Sequence, residues 1–335
     1  MIPTAFLQAW SVKAPWPDLR QVEQDLIISR ALCDLFNAPS LKEKIAFRGG
    51  TAIHKLLFKQ PLRYSEDIDL VQVKAEPIGA TVDAIREALS WLGRCQREQA
   101  GHSMHLVFKF TPEVDAQATL KLKVEINTRE HTNLLGIKRY PFALENDWYQ
   151  GNTMIESFEP EELFGTKLRA LLQRRASRDL FDLHQGLEQL TLAADKVIAC
   201  FDHYLALEGK PITRAMAEQR MLEKLTRSLT EDITPLLPAG IHFREPDALR
   251  AFERVWIALI ARIGGEGWKL TESVLEEFRV KRFPGLLMSR DRSRHLEAAI
   301  SSDGKSGDFG CSQNGVADAS PSLSRGGIYS LYGQR

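Results

Sequence analysis

Gly49, Gly50 and Thr51 stand between an apolar run, Ile45 to Phe47, and a helical pattern made by Ala52, Ile53, Leu56 and Leu57. Paired glycines let a phosphate come close to the backbone, and the N–H groups that open a helix are unpaired donors beside a partial positive charge. Asp67 and Asp69 follow, within Asp67-Ile68-Asp69-Leu70-Val71. On a strand, residues two apart share a face, so both carboxylates point the same way at a spacing of roughly 6–7 Å. Oxygen donors of this kind suit a hard divalent ion, and ions held between carboxylates and phosphates stabilise the attacking and leaving oxygens of an in-line displacement. Alone, a Gly-Gly is a tight turn and an Asp-x-Asp is a solvated strand face. Together they say more, because Ile68 and Leu70 claim the buried face and leave the acids sharing the other, an arrangement that is costly without a cation.

The order Gly-Gly, helix, Asp-hydrophobic-Asp-hydrophobic resembles the DNA polymerase beta type nucleotidyltransferase superfamily. Within it, GGTAIHK, RYSEDIDL, KLRALLQR and RDLFDL, spread in that order over residues 44 to 185, resemble the AbiEii/AbiGii toxin group, the enzymatic half of type IV toxin–antitoxin pairs. The resemblance implies that Gly49, Gly50 and Thr51 hold a nucleoside triphosphate and that Asp67 and Asp69 ligate magnesium in a two-ion site. It places Lys167 on the nucleotide phosphates. Asp182 matches a functional aspartate of the group, as general base, lysine positioner or substrate contact. The reaction implied is transfer of a nucleoside monophosphate to cellular RNA, tRNA 3′ ends being the best-known case. It also implies a separately encoded antitoxin, which need not bind the toxin stably.

Superfamily members usually add a third carboxylate from a later strand, and Glu125 is the candidate. In residues 119–127, Leu120, Leu122, Val124 and Ile126 alternate with Lys121, Lys123, Glu125 and Asn127, the pattern of a half-buried strand. The competing reading pairs Glu125 with Lys123 or Lys121 on a wet face. Lys167 shares a helix face with Leu163, Ala170 and Leu171, so its ammonium needs an anion or must snorkel outward. Asp179 and Asp182 lie one helical turn apart, with Asp179 placed to cap or to pair with Arg175 or Arg178. Ser65 and Arg63 could touch phosphate or lie in an exposed loop, and Lys55, one turn into the first helix, is a further phosphate candidate.

These groups must be positioned by a mixed set of elements. Val22, Leu26, Ile27, Ala31 and Leu35 predict a helix over 18–37, a second helix is expected near 81–98, and strands near 103–111, 119–128 and before Pro160. From residue 160 the signals are almost entirely helical, as over 249–263 and 270–283. The expected fold class is α+β: a polymerase-beta-like core of a small mixed sheet with helices over residues 1–190, a helical domain over 191–300, and a disordered tail from 301, where the sequence turns to Gly, Ser and Asp.

The chain has 335 residues and equal numbers of basic and acidic side chains, 44 each, so any polyanion must be met by local patches. Residues 173–178, 279–282 and 290–295 are the candidates. Cys33, Cys95, Cys200 and Cys311 form no CxxC pair and read as buried or free thiols of a reducing cytoplasm. His102 and His105, three apart on a probable strand, read as packing or surface, and no window is long enough for a membrane span. Two other functions fit the core. It could adenylylate a small cationic compound of the aminoglycoside type, for which an acidic pocket is expected, or serve as a non-catalytic nucleotide-binding module.

Overall fold

The computed structural model describes residues 2–101 and 103–288. In chain order its elements are α1 (Thr4–Trp10), α2 (Leu19–Asn37), β1 (Ile45–Arg48), α3 (Gly49–Leu56), β2 (Asp67–Gln72), α4 (Gly79–Ala88), β3 (Cys95–Ala100), β4 (Ser103–Phe110), β5 (Leu120–Asn127), β6 (Ile137–Asn146) and β7 (Tyr149–Phe158). The helices α5 (Pro160–Gln173), α6 (Arg178–Gln189), α7 (Ala194–Glu208), α8 (Arg214–Lys224), α9 (Glu245–Ala258) and α10 (Thr271–Lys281) complete it. The strands form one sheet in the order β3-β4-β5-β2-β1-β7-β6. It is mixed, as expected of an α+β fold: β2 runs parallel to β5 and β1 parallel to β7, while the other pairs are antiparallel.

Alternation sets which side chains the sheet buries. Ile68 and Leu70 of β2 and Leu122, Val124 and Ile126 of β5 are almost wholly buried, so the residues between them face the other way. α2 covers the sheet at β5, β6 and β7 with Leu26, Ile28, Leu32 and Leu35, each fully buried. Burial of each such side chain contributes about 1.5–3 kcal/mol. A buried amide on the same helix, Gln24, donates to the carbonyls of Glu66 (3.1 Å) and Lys121 (3.0 Å). It thereby ties together the chain entering β2 and the start of β5, the two strands that carry the acids.

Pro160 at the first turn of α5, with Glu161 and Glu162 beside it, starts the helical half where a proline and acidic residues favour a helix N-terminus. α5 packs on α3, α6 and α7. The proposed division near residue 190 falls at the end of α6, and one hydrophobic cluster runs across it, from Leu163 and Leu168 of α5 to Phe252 and Val255 of α9.

Two strands escape a periodicity reading. The helix expected near 81–98 ends at Ala88, and after a short turn residues 95–100 pair with β4 as an edge strand. Residues 96–100 of β3 are all exposed, so no apolar alternation marks it. The opposite edge, β6, has a largely exposed N-terminal half and contains Pro141, which an edge strand tolerates because one side of its backbone need not be paired. The tail from residue 301, the basic run 290–295, Cys311 and His102 lie outside the described residues. Cys33, Cys95 and Cys200 are free thiols. Among the described residues no helix is long and apolar enough to cross a membrane.

Candidate active site

The ends of β1 and β2 and the start of α3 open on a cavity of about 230 Å³ that α5 closes from the other side. Gly49, Gly50, Ser65, Asp67, Asp69, Glu125 and Lys167, all expected at the site, line it. The glycines are required by contact as well as conformation. Gly49 has φ +83° and lies so close to Asp69 that a Cβ would meet its carboxylate at 1.8 Å. A Cβ on Gly50 would stand 2.7 Å from the Arg63 guanidinium and 3.3 Å from Ser65 Oγ. The pair therefore lets an acid and a cation press against the opening turn of α3, where backbone N–H groups are unpaired. Thr51 is placed differently: buried, it donates from Oγ1 to the Asp67 carbonyl (2.5 Å) and contacts Ser65 Oγ (2.8 Å), pinning the loop to the helix.

Parallel pairing sets Asp67 beside Lys123 and Asp69 beside Glu125, so three carboxylates and one ammonium share the open face. Glu125 thus lies beside the aspartate pair and also meets Lys123, the partner its competing reading expects. Lys123 Nζ lies 3.3 Å from Asp67 Oδ2 and 3.3 Å from Glu125 Oε2, and His105 Nε2 is 3.4 Å from the same glutamate oxygen. As they stand, no three His, Cys, Asp or Glu side chains among the described residues converge to enclose an ion. Lys123 occupies part of that space. Asp69 has no hydrogen-bond donor among the described residues. Burial, with Asp67 and Glu125 nearby, pushes its pKa up. Asp67 is raised too, by burial against the opposing pull of Lys123. A set of carboxylate oxygens, one of them without a hydrogen-bonded cation among the described residues, fits a hard divalent cation.

Behind the cavity wall lies a buried charge network that centres on Asp182. Arg63 donates to both of its oxygens, Nε to Oδ1 and Nη2 to Oδ2, each at 2.7 Å. Lys167 Nζ is 3.0 Å from Oδ2 and 2.9 Å from Asp179 Oδ1, and His54 Nε2 is 3.1 Å from Asp182 Oδ1. Burial alone would raise the Asp182 carboxyl, but Arg63 and Lys167 hold it well below the usual range. Lys167 has found its anions inward and does not snorkel. Asp179 pairs with it, and not with Arg175 or Arg178 as expected, because Asp179 points into the α5–α6 interface while both arginines are exposed.

Asp182 is fully buried and is not on the cavity wall, so of the three roles open to it the placement favours the lysine positioner, which touches the site only through Arg63 and Lys167. Lys55 does not reach the cavity either. One turn into α3 its ammonium turns toward α2, where it meets both Asp25 oxygens at 3.1 Å and Ser29 Oγ at 2.9 Å. A second node, Glu130, has no signature in the sequence; it binds Arg48 of β1 and Arg169 of α5, the latter at 2.7 Å. Burial would lift Glu130, but the two arginines hold it at about 2. Nothing in the local pattern around Glu130 announces partners so far away in the chain.

His54 gives the network a pH signature. Leu62 N–H points to Nδ1 (3.4 Å), which assigns the ring proton to Nε2 and its bond to Asp182. Burial pushes the imidazole down to about 4, against the upward pull of Asp182. As pH falls from about 6.5 toward 4, the unfolded chain takes up a proton that folded His54 refuses, so stability should decline over that window. Asp67 and Asp69, both raised, act in the opposite sense from about pH 4 upward. The contribution of His54 is read as the difference between wild type and His54→Gln in denaturant midpoints across pH 4–7. Parallel curves would remove His54 as the cause.

A mixed sheet bearing an Asp-x-Asp pair beside a glycine-opened helix, closed by a helix with an inward lysine, defines a nucleotidyltransferase. The chain belongs to the nucleotidyl transferase AbiEii toxin family of type IV toxin–antitoxin systems, whose family profile matches residues 30–257. Among solved structures it is similar to MenT4, a nucleotidyltransferase toxin from Mycobacterium tuberculosis H37Rv, with a TM-score of 0.59 at 14% identity over 90% of this chain and 99% of that one. A putative nucleotidyltransferase from H. pylori matches 77% of this chain and 97% of its own length, with a TM-score of 0.44 at 15% identity. No curated protein matches the chain.

Proposed function

We propose that this enzyme transfers a nucleoside monophosphate from a nucleoside triphosphate to an RNA acceptor, a tRNA 3′ end in the first instance, with magnesium bound by Asp67 and Asp69 and with Glu125 beside them. The observation that carries this reading is the Asp69 carboxylate, which has no hydrogen-bonded or ion-paired cation among the described residues, packed against the glycine that opens α3. Bound divalent ions would supply Lewis-acid stabilisation of the oxygens that gain charge in the displacement. The chain's own groups do the rest. Backbone N–H groups of the first turn of α3 receive phosphate oxygens at Gly49 and Gly50. Arg63, packed against Gly50, and Lys167 on α5, both held from behind by Asp182, place positive charge in the same cavity. Asp182 is thus a positioning residue, and Ser65, bonded to Thr51, sets the loop that delivers Asp67.

The rim of the cavity on α5 and α6 is formed by Gln173, Arg174 and Arg178. A basic rim favours an anionic acceptor and weighs against the cationic small molecule of the alternative reading. In keeping with a type IV pair, the antitoxin is proposed to act without a lasting complex. The test is to incubate the protein with magnesium, each alpha-labelled nucleoside triphosphate in turn and total bacterial RNA. Label is expected in tRNA-sized RNA, from one nucleotide preferentially, and its appearance should be abolished by chelation. Label that never enters RNA under any of the four nucleotides would defeat the proposal.

A further inference from the structure

The basic rim does not stop at the active site. Gln173 and Arg174 also line a second, larger groove, of about 860 Å³, that continues over the C-terminal end of α5 toward α8. Its cations include Arg175, Arg220 and Arg227, and its carboxylates among the described residues are Glu208 and Glu223. Those two are already engaged, Glu208 by Gln173 (2.7 Å) and Lys210 (3.6 Å), and Glu223 by Gln219 (3.0 Å).

The arginines here are unlike most of the others in the protein. Arg48, Arg63, Arg169, Arg214, Arg279 and Arg282 each sit on a carboxylate. Among the described residues, Arg174, Arg175, Arg178, Arg220 and Arg227 have none. In a chain with equal numbers of acids and bases, this leaves unneutralised positive charge gathered on one surface that begins at the reaction centre. That surface is also built. Lys224, buried, donates to the carbonyls of Arg174 (2.9 Å) and Ala176 (3.3 Å), and Arg220 donates to that of Leu172 (3.1 Å). Asp232 accepts from Ser177 N–H (2.8 Å). These bonds cap the negative end of α5 with cations and hold the segment that displays Arg174 and Arg175.

Resting on the acceptor reading above, we propose that this groove carries the sugar–phosphate backbone of the acceptor RNA, immediately behind the end that enters the cavity. The nucleoside triphosphate has its own donors at Gly49, Gly50, Arg63 and Lys167, so a second set of guanidiniums without carboxylate partners, leading away from them, serves a longer polyanion. Arginine forks suit phosphate oxygens. Among the described residues no aromatic side chain lines the groove, which favours recognition of a helical stem by its backbone and shape over base stacking on a single strand.

The test uses the full-length Arg175→Glu/Arg227→Glu variant. Neither residue lines the active-site cavity, and both side chains are exposed, so the fold should survive; Arg175→Lys/Arg227→Lys serves as the charge-preserving control. Binding of fluorescent tRNA is followed by anisotropy across a salt series, alongside label transfer and nucleotide affinity. The reversal should weaken RNA binding and raise the KM for RNA at least about tenfold, and lower the slope of log K against log salt by roughly two. Nucleotide affinity should be unchanged, and the lysine variant should behave nearly as wild type. If wild type labels RNA and the reversal binds and labels it equally well, the groove is not the RNA site. If wild type neither binds nor labels RNA, the acceptor reading itself fails, and that is visible before any variant is made.

Discussion

Asp182→Ala should lower the free energy of unfolding by about 3–5 kcal/mol, the usual consequence of leaving a buried charge without its partner. The substitution strands two cations at once. Arg63 would keep one bond, to the Tyr64 carbonyl at 2.9 Å, and Lys167 would keep only Asp179. Both residues are less than one-tenth exposed, so water can replace only part of what is lost. A functional loss should come with it, because the Arg63 guanidinium packs against Gly50 at the phosphate cradle and Lys167 lines the cavity. Asp182→Asn keeps the shape and one acceptor oxygen and should fall between wild type and alanine. Urea unfolding with an unchanged m-value, paired with nucleotide affinity, separates the two effects. An alanine variant within 1 kcal/mol of wild type that binds nucleotide normally would show that the network does not hold the site.

Asp182 also marks the boundary of what the amino-acid sequence discloses. The glycines, the aspartate pair and the alternation of residues 119–127 each have a local signature, and the first turn of a helix and the two faces of a strand follow from spacing alone. The partner of a buried charge does not. Arg63 and Asp182 are 119 residues apart, and nothing beside Arg63 distinguishes a buried anchor from a loop cation. Lys55 shows the converse. Its place near the glycines suggested phosphate, yet the rotation of a helical turn and the presence of Asp25 on α2 decide its contacts. β3 and β6 were hidden for a related reason, since edge strands exposed to water lack the apolar alternation that identifies a strand.

Asp69→Asn should abolish nucleotidyl transfer and yet stabilise the metal-free protein. A loss of at least about a thousandfold, near 4 kcal/mol in the barrier, is expected if Asp69 carries the ion that meets the reacting phosphate. The opposite effect on folding comes from the same carboxylate. Asp69 shares its face with Asp67 and Glu125, and Lys123 reaches those two but not Asp69, which is offset only at longer range by Arg48, across the β1–β2 pair, and by Lys167. A neutral amide of the same size removes the repulsion and keeps the packing against Gly49. Divalent cations should therefore raise the melting temperature of wild type, by about 2.7 kcal/mol in stability at a hundredfold excess over Kd, and should hardly affect the variant. Magnesium and manganese titrations followed by thermal unfolding make this visible without turnover. If Asp69→Asn responds to the ions as wild type does, the cation lies elsewhere and the loss of transfer needs another cause; if the metal-free variant is also less stable, Asp69 holds the opening of α3 by contact more than it burdens it by charge.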